Sequence, residues 1–121
     1  MANYNSFMVT EKTFHVSDVE AFRKAFEPLY TNARIHEEED GTVWIGGYDA
    51  GMVVYDQDDN EVEIAEIIRK HIKPGDHAVI KVVGQEKLRY VSGVTYVINK
   101  EKVLSAGLKS MTDKLIEQLE E

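Results

Sequence analysis

The chain has 121 residues, of which 43% are hydrophobic and none is cysteine, and its formal net charge is −8. This length and apolar content are typical of one folded domain over residues 1–121, and the lack of cysteine excludes disulfides, thiolate catalysis and a cysteine zinc site. The negative charge disfavours direct binding to nucleic acid or to an anionic membrane. Apolar runs are too short for a transmembrane helix, and residues 1–4 are not typical of a signal peptide, so we expect a cytoplasmic protein.

The first predicted elements are a strand and a helix. Residues 5–16 form the strand, and a change in the parity of its apolar positions predicts a bulge near 10–13. Ser17 and Glu20 form a capping box that opens the helix, and Pro28 should end it. The apolar stripe of this helix contains Val19, Phe22, Phe26 and Leu29.

Two strands and a helix follow. Residues 33–39 are typical of a weak edge strand, Asp40-Gly41 predicts a type I′ turn, and 42–45 form the return strand, where Trp44 faces away from its neighbours. A further short strand is expected over 52–55. The second helix is predicted to be capped by Asn60 with Glu63, to bury Ile64, Ile68 and Ile72, and to stop at the Lys73-Pro74-Gly75-Asp76 turn.

Residues 77–98 are predicted to form a long β-hairpin at the centre of the sheet. The run 77–83 is rich in β-branched residues, which is typical of a strand covered on both faces. The return strand is expected to begin at Leu88, after a turn over 84–87 in which Gly84 supplies positive φ. Gly93 in mid-strand predicts a bulge or a close backbone approach.

The last elements are an outer strand over 103–108 and a helix from Ser110. We expect four apolar side chains of that helix to face inward: Met111, Leu115, Ile116 and Leu119. The whole order predicts an α+β fold, with three helices packed on a mainly antiparallel sheet of five to six strands. The first six elements follow a ferredoxin-like β-α-β-β-α-β order, with an extra strand before the second helix.

No motif in the chain predicts a metal, a cofactor or a catalytic residue. Asp56 to Asn60 begins like a calcium-binding EF-hand loop, but Glu61 stands where glycine is needed and Ile67 where a bidentate glutamate is needed. Acids favoured at a helix N-terminus are the simpler explanation, and a weak divalent-ion site is the alternative. The four histidines lack metal-binding spacing, although His71 and His77 could approach each other across a turn.

Three stretches resemble small acidic proteins encoded on bacterial conjugative and other mobile elements. These are ANYNSFMVTEKTFHVSDVEAFRKAF near the start, WIGGYD in the middle, and GQEKLRYVSGVTYVIN, which contains Glu86 to Val91. The resemblance implies a bacterial cytoplasmic setting and an accessory role. It implies no catalytic residues.

The favoured function is a non-enzymatic accessory module that binds a protein partner, with exposed aromatic residues beside acidic ones. The candidate interface consists of Trp44, Tyr48, Tyr55, Glu37, Glu38, Glu39, Asp40, Asp56, Asp58 and Asp59. If all three aromatic residues were buried, this hypothesis would lose its support.

Three alternatives stay open. An acidic decoy could imitate DNA and capture a DNA-binding or defence protein, if residues 37–40 and 56–63 form one continuous face. An enzyme would need a pocket that joins His36 or His77 with a carboxylate and Arg89. A homodimer could form through an exposed strand edge at Ile35 or Val103.

Overall fold

The computed structural model describes residues 4–87 and 89–121 and has an α+β fold. Residues 1–3 and Leu88, the predicted start of the return strand, lie outside the described residues. The described strands are β1 (Tyr4–Thr10), β2 (Leu29–Tyr30), β3 (Arg34–Glu37), β4 (Val43–Tyr48), β5 (Val53–Asp56), β6 (Glu61–Glu63), β7 (Ala78–Glu86), β8 (Tyr90–Ile98) and β9 (Val103–Gly107). The described helices are α1 (Val19–Phe26), α2 (Ile64–His71) and α3 (Leu108–Glu120). None of these helices has the length and apolar character needed to cross a membrane.

Six strands form the main sheet, in the order β3-β4-β1-β7-β8-β9, and every pair of neighbours is antiparallel. The predicted hairpin is confirmed, because β7 and β8 pair without interruption from Ala78↔Ile98 to Glu86↔Tyr90. β7 lies next to β1 in the middle of the sheet, and β8 is one strand from the edge. β3 and β9 are the two edge strands, as predicted from Ile35 and Val103.

One face of this sheet forms the hydrophobic core, and we call it the inner face. Period-two alternation places Met8, Ile45 and Ile80 there, all fully buried. α1 and α2 cover this face with their apolar stripes, which include Phe22 and Ile68. The predicted stripe of α2, with Ile64, Ile68 and Ile72, is therefore confirmed.

The opposite, outer face of the sheet is largely open. On β7 it carries Val79, Lys81 and Val83, and Lys81 is exposed. The prediction that the strand 77–83 is covered on both faces was therefore wrong. A β-branched run is equally typical of a strand that is buried on one face and has exposed apolar side chains on the other.

A second, three-stranded sheet has the order β2-β5-β6. The short strand predicted over 52–55 belongs to it, as β5. The prediction that Asn60 caps the second helix was wrong, because 61–63 form β6 and Glu63 occupies the N-cap without a side-chain bond. The competing structure is the β5–β6 turn, where Asp56 Oδ1 accepts from the backbone amides of Asp58 and Asn60, both at 2.9 Å.

The start of α1 also differs from the prediction. Asp18, not Ser17, is the N-cap residue, and its Oδ1 accepts from the Ala21 amide at 3.2 Å. The helix ends at Phe26, ahead of Pro28 as expected. The parity change in the first predicted strand marks the end of β1 at Thr10, and no bulge forms there. Phe14 and Val16 lie beyond this strand and form isolated bridges with Val43 and Ile72.

The predicted turns at Gly84 and at Asp40-Gly41 were wrong, and of the two alternatives for Gly93 the bulge was wrong. Gly84 lies inside β7, and Lys87 is the turn residue with positive φ. Gly93 pairs with Val83 in unbroken register, so no bulge forms there. A Cβ on Gly93 would instead lie 3.0 Å from the Leu108 side chain, which crosses the outer face at this point. The Asp40-Gly41 turn has positive φ only at Gly41, so it is not type I′.

The last helix gives the clearest departure from the prediction. Met111, Leu115, Ile116 and Leu119 were expected to face the core, but all four are exposed, Leu119 at 85%. No residue of α3 is buried. Their helical spacing still places them along one side, so α3 carries an apolar stripe that its own chain does not cover.

Candidate functional site

An apolar cleft opens on the outer face over β3, β4 and β1, with a volume of about 440 Å³. We call it the aromatic cleft and define it by Phe7, Val9, His36, Trp44, Gly46 and Tyr48. Strand register explains why these residues meet. Val9 lies opposite Gly46, Phe7 opposite Tyr48, and His36 opposite Trp44, so all six side-chain positions share one face.

Gly46 creates the space between the aromatic rings. It stands between Trp44 and Tyr48 on the same face of β4, where any other residue would project a side chain into the cleft. A Cβ at this position would lie 3.0 Å from the Trp44 ring and 3.4 Å from a Val9 methyl group. The cleft therefore depends on glycine at position 46.

Trp44 forms one wall of the cleft and is held from two sides. The His36 ring stacks on it with 3.9 Å between ring centroids and 13° between planes. The indole Nε1 donates to Glu38 Oε1 at 2.9 Å. These contacts fix the orientation of the Trp44 ring and place a carboxylate at the rim of the cleft.

Tyr48 forms the other wall, and 81% of its surface is exposed. It meets Phe7 edge to face, with 6.4 Å between ring centroids. An aromatic side chain this exposed contributes little to the stability of its own chain. It is well suited to be buried by another molecule.

The structure divides the ten predicted interface residues between two places. Trp44 and Tyr48 lie in the aromatic cleft, and the acidic run 37–40 lies beside it at the β3–β4 turn. Tyr55, which is 52% exposed, lies on the small sheet opposite Tyr30. Asp56, Asp58 and Asp59 follow Tyr55 in the β5–β6 turn.

Neighbouring acids of the first run also differ in orientation. Glu38 bonds to Trp44 on the outer face, whereas Glu37 has inner-face parity and lies 3.8 Å from Arg23 of α1. Hydrogen bonds from the Thr42 hydroxyl and amide lower the pKa of Asp40. Hydrogen bonding from the Asn60 amide lowers the pKa of Asp56. Several of these carboxylates therefore hold local turns.

The two acidic runs lie at turns of different sheets, 37–40 in the main sheet and 56–60 in the small one. The single continuous acidic face that the decoy hypothesis requires stays a prediction.

The residues suggested for an enzyme lie far apart. Arg89 lies in the β7–β8 turn, at the end of the sheet where Tyr4 pairs with Glu86. His36 and His77 lie toward the opposite end, about seven and nine strand residues away, or on the order of 20–30 Å. Within residues 4–87 and 89–121, no three His, Asp or Glu side chains are grouped so that they could hold a metal ion.

His71 is the histidine whose surroundings have the clearest effect. Its ring packs against Phe22 with 5.6 Å between centroids. This partial burial lowers the pKa of His71, and the charges of Lys100 and Lys70 add to the effect, while Asp18 opposes it.

The lowered pKa predicts a pH-dependent stability. The unfolded chain takes up a proton near the ordinary value of 6.5, while folded His71 resists protonation. The contribution of neutral His71 to the free energy of unfolding is therefore fully present above pH 6.5. It is lost as the pH falls through the pKa that His71 has in the folded state. We expect His71→Gln to flatten this part of the profile in urea unfolding measured at a series of pH values. An unchanged profile in the variant would contradict this assignment.

Sequence reasoning did not assign Phe7, Val9 or Gly46 to a site. The shared parity of Phe7 and Val9 is visible in the sequence, but their pairing with β4 is not, because the two strands are separated by α1, β2 and β3. Comparison with known proteins gave no match to a family model, a curated protein or a solved structure.

Proposed function

We propose that this protein is a non-enzymatic binding module whose aromatic cleft receives an apolar side chain of a protein partner. The observation that carries the proposal is the cleft itself, in which Phe7, Trp44 and Tyr48 present aromatic surface on an open sheet face. Tryptophan and tyrosine are enriched among the residues that dominate binding energy at protein interfaces.

The small number of free polar groups in the cleft favours a protein partner over a small molecule. Small-molecule sites combine apolar walls with several convergent polar groups that fix the ligand. Here the indole N–H already bonds to Glu38, and the His36 ring is stacked on Trp44. What the cleft offers is shape and apolar contact on the face of a sheet, which suits a side chain presented by another protein.

The rim of the cleft indicates the charge of that partner. Glu38 lies at the edge of the Trp44 ring, and Glu39 and Asp40 follow it in the β3–β4 turn. Charges at the rim of an interface mainly affect association rate and selectivity. We therefore expect an apolar anchor flanked by basic residues.

Affinity capture from a bacterial lysate tests the proposal. We compare the wild-type chain with Tyr48→Ala, and use Tyr55→Ala on the small sheet as the matched control. Both tyrosines are more than half exposed, so neither change should disturb folding. We expect Tyr48→Ala to lower recovery of the partner about 10-fold, with Tyr55→Ala close to wild type.

Equal recovery by wild type and Tyr48→Ala would contradict the proposal. Performing the capture at low and moderate salt separates it from the decoy alternative. Capture of nucleic-acid-binding proteins that depends on salt and not on Tyr48 would favour the decoy.

We infer that β1-α1-β3-β4-α2-β7 is a ferredoxin-like unit into which the small sheet is inserted. The strand order β3-β4-β1-β7 and the shared core under α1 and α2 support this. A bacterial mobile-element origin and a cytoplasmic location stay predictions from the resemblance.

A further inference from the structure

The edge strand β9 lacks the features that prevent edge-to-edge pairing. Its sequence is VLSAG, without a charge or a proline, and its far side has no neighbouring strand among the described residues. The other edge strand, β3, carries Arg34 and Glu37 in the sequence RIHE. Proteins usually protect exposed edges with charges, prolines or bulges. β3 is therefore protected, and β9 is not.

β9 is also complementary to itself. In an antiparallel pair of β9 strands centred on Ser105, Leu104 of one copy lies opposite Ala106 of the other, and Val103 lies opposite Gly107. Each large side chain thus meets a small one. The residues facing each other also share a face, because Leu104 and Ala106 both have outer-face parity. The two outer faces would continue across the two-fold axis without a break in apolar character.

α3 begins directly at the end of this edge. Leu108 lies over Gly93 on the outer face, and Leu108 and Met111 line a shallow apolar hollow beside Val83 and Ala106. Further along the helix, Leu115 and Leu119 are increasingly exposed, at 61% and 85%. In the two-fold pair Gly107 lies opposite Val103 of the second copy, so each α3 would begin beside the other sheet.

Exposed apolar side chains supply a large part of the surface that a stable dimer buries. Eight large apolar side chains are exposed in this region: Val91, Val97, Leu104, Leu108, Met111, Leu115, Ile116 and Leu119. A side chain of this size offers roughly 60–120 Å² when wholly exposed, by the usual relation of apolar area to transfer free energy, and these side chains are between 40% and 85% exposed. Together they present on the order of 300–550 Å², against roughly 800 Å² per partner in a standard interface. A monomer would leave this whole patch in water, which is unusual.

We propose that two copies of this chain form a two-fold symmetric homodimer through β9. Leu108 and Met111 stay over their own sheet, and the exposed far part of each α3 stripe, at Leu115 and Leu119, is buried by the other copy. The dimer joins two six-stranded sheets at their unprotected edges. It uses the β7–β8–β9 half of the outer face and leaves the aromatic cleft, on the β3–β4–β1 half, open. Dimer formation therefore stands on different residues from the proposed function.

Size-exclusion chromatography with light scattering tests this at about 100 µM chain, because dimerisation depends on concentration. We expect wild type to have twice the 13.8 kDa mass of one chain. Ala106→Lys adds a charge at the edge, and Leu115→Glu adds one to the apolar stripe. Both residues are exposed in a single chain, so folding should be kept and checked by circular dichroism. We expect each variant to have the mass of one chain.

Lys114→Glu is the matched control, since it adds negative charge beside Leu115 but on the polar side of α3, and it should stay dimeric. A wild-type mass other than that of two chains would overturn the dimer. A dimer that persists in both Ala106→Lys and Leu115→Glu would overturn the proposed interface. Neither result would affect capture through Tyr48, so the two proposals can fail separately.

Discussion

Replacing Met8 by alanine should lower the free energy of unfolding by about 3 kcal/mol. Met8 points from β1 into the core and is fully buried, opposite Val82 and Gly47 in the two neighbouring strands. Truncation removes apolar contacts and leaves a cavity between sheet and helices that close packing does not let the surroundings fill. Urea unfolding followed by circular dichroism measures the loss.

Phe7→Ala is the matched control, because Phe7 is the preceding residue of the same strand and points to the outer face. It is 39% exposed and borders the open cleft, so no closed cavity forms when it is shortened. We expect a loss of roughly 1 kcal/mol, although Phe7 has the larger side chain. Equal losses at the two positions would show that the inner and outer faces are wrongly assigned.

Replacing Gly47 by alanine should lower the free energy of unfolding by about 3 kcal/mol. A Cβ at position 47 would lie 2.5 Å from the Asn32 carbonyl oxygen and 2.9 Å from the Ala33 Cα. These are backbone atoms, and Ala33 is itself buried, so the obstacle cannot rotate away as a side chain could. Either β4 or the segment before β3 must shift.

Gly51→Ala is the control for the glycine experiment. No atom lies within 4 Å of a Cβ at position 51, and its φ is not in the left-handed region. Alanine there should therefore leave stability unchanged or raise it slightly, by reducing the freedom of the unfolded chain. If Gly47→Ala and Gly51→Ala unfold at the same urea concentration, the close approach of residues 32–33 to β4 is not as described.

The regular elements could be predicted because their signals are local. The hairpin of β7 and β8 follows from alternation within one stretch, and the stripe of α2 from the spacing of Ile64, Ile68 and Ile72. The two edge strands were also recognised, since β3 is short and polar and β9 follows the hairpin. Each of these predictions needs only near neighbours in the chain.

The parts that could not be predicted depend on distant pairing. In the small sheet, Asp56 stabilises a turn that brings residues 61–63 against β5. The same residues were predicted to form the first turn of α2, and the strand pairing takes the place of that turn. The aromatic cleft needs β1 beside β4, a contact across some forty residues of chain, which periodicity cannot reveal.

The apolar stripe of α3 shows a further limit of prediction from hydrophobic periodicity. An apolar stripe at helical spacing predicts that one face of a helix is buried, but it does not identify the surface against which that face packs. The stripe of Phe22 and the stripe of Leu115 look alike in sequence, and only the first lies in the core of its own chain. A stripe left exposed is an indication of another surface, which here we assign to a second copy.

The most direct test of the central claim is calorimetric titration of the purified partner into wild type, Tyr48→Ala and Tyr55→Ala. Burial of aromatic rings in the cleft predicts a negative heat-capacity change for wild type. It also predicts an affinity about 10-fold weaker in Tyr48→Ala and a wild-type value in Tyr55→Ala. Equal affinity in wild type and Tyr48→Ala, or a loss confined to Tyr55→Ala, would contradict the assignment of the cleft as the binding surface.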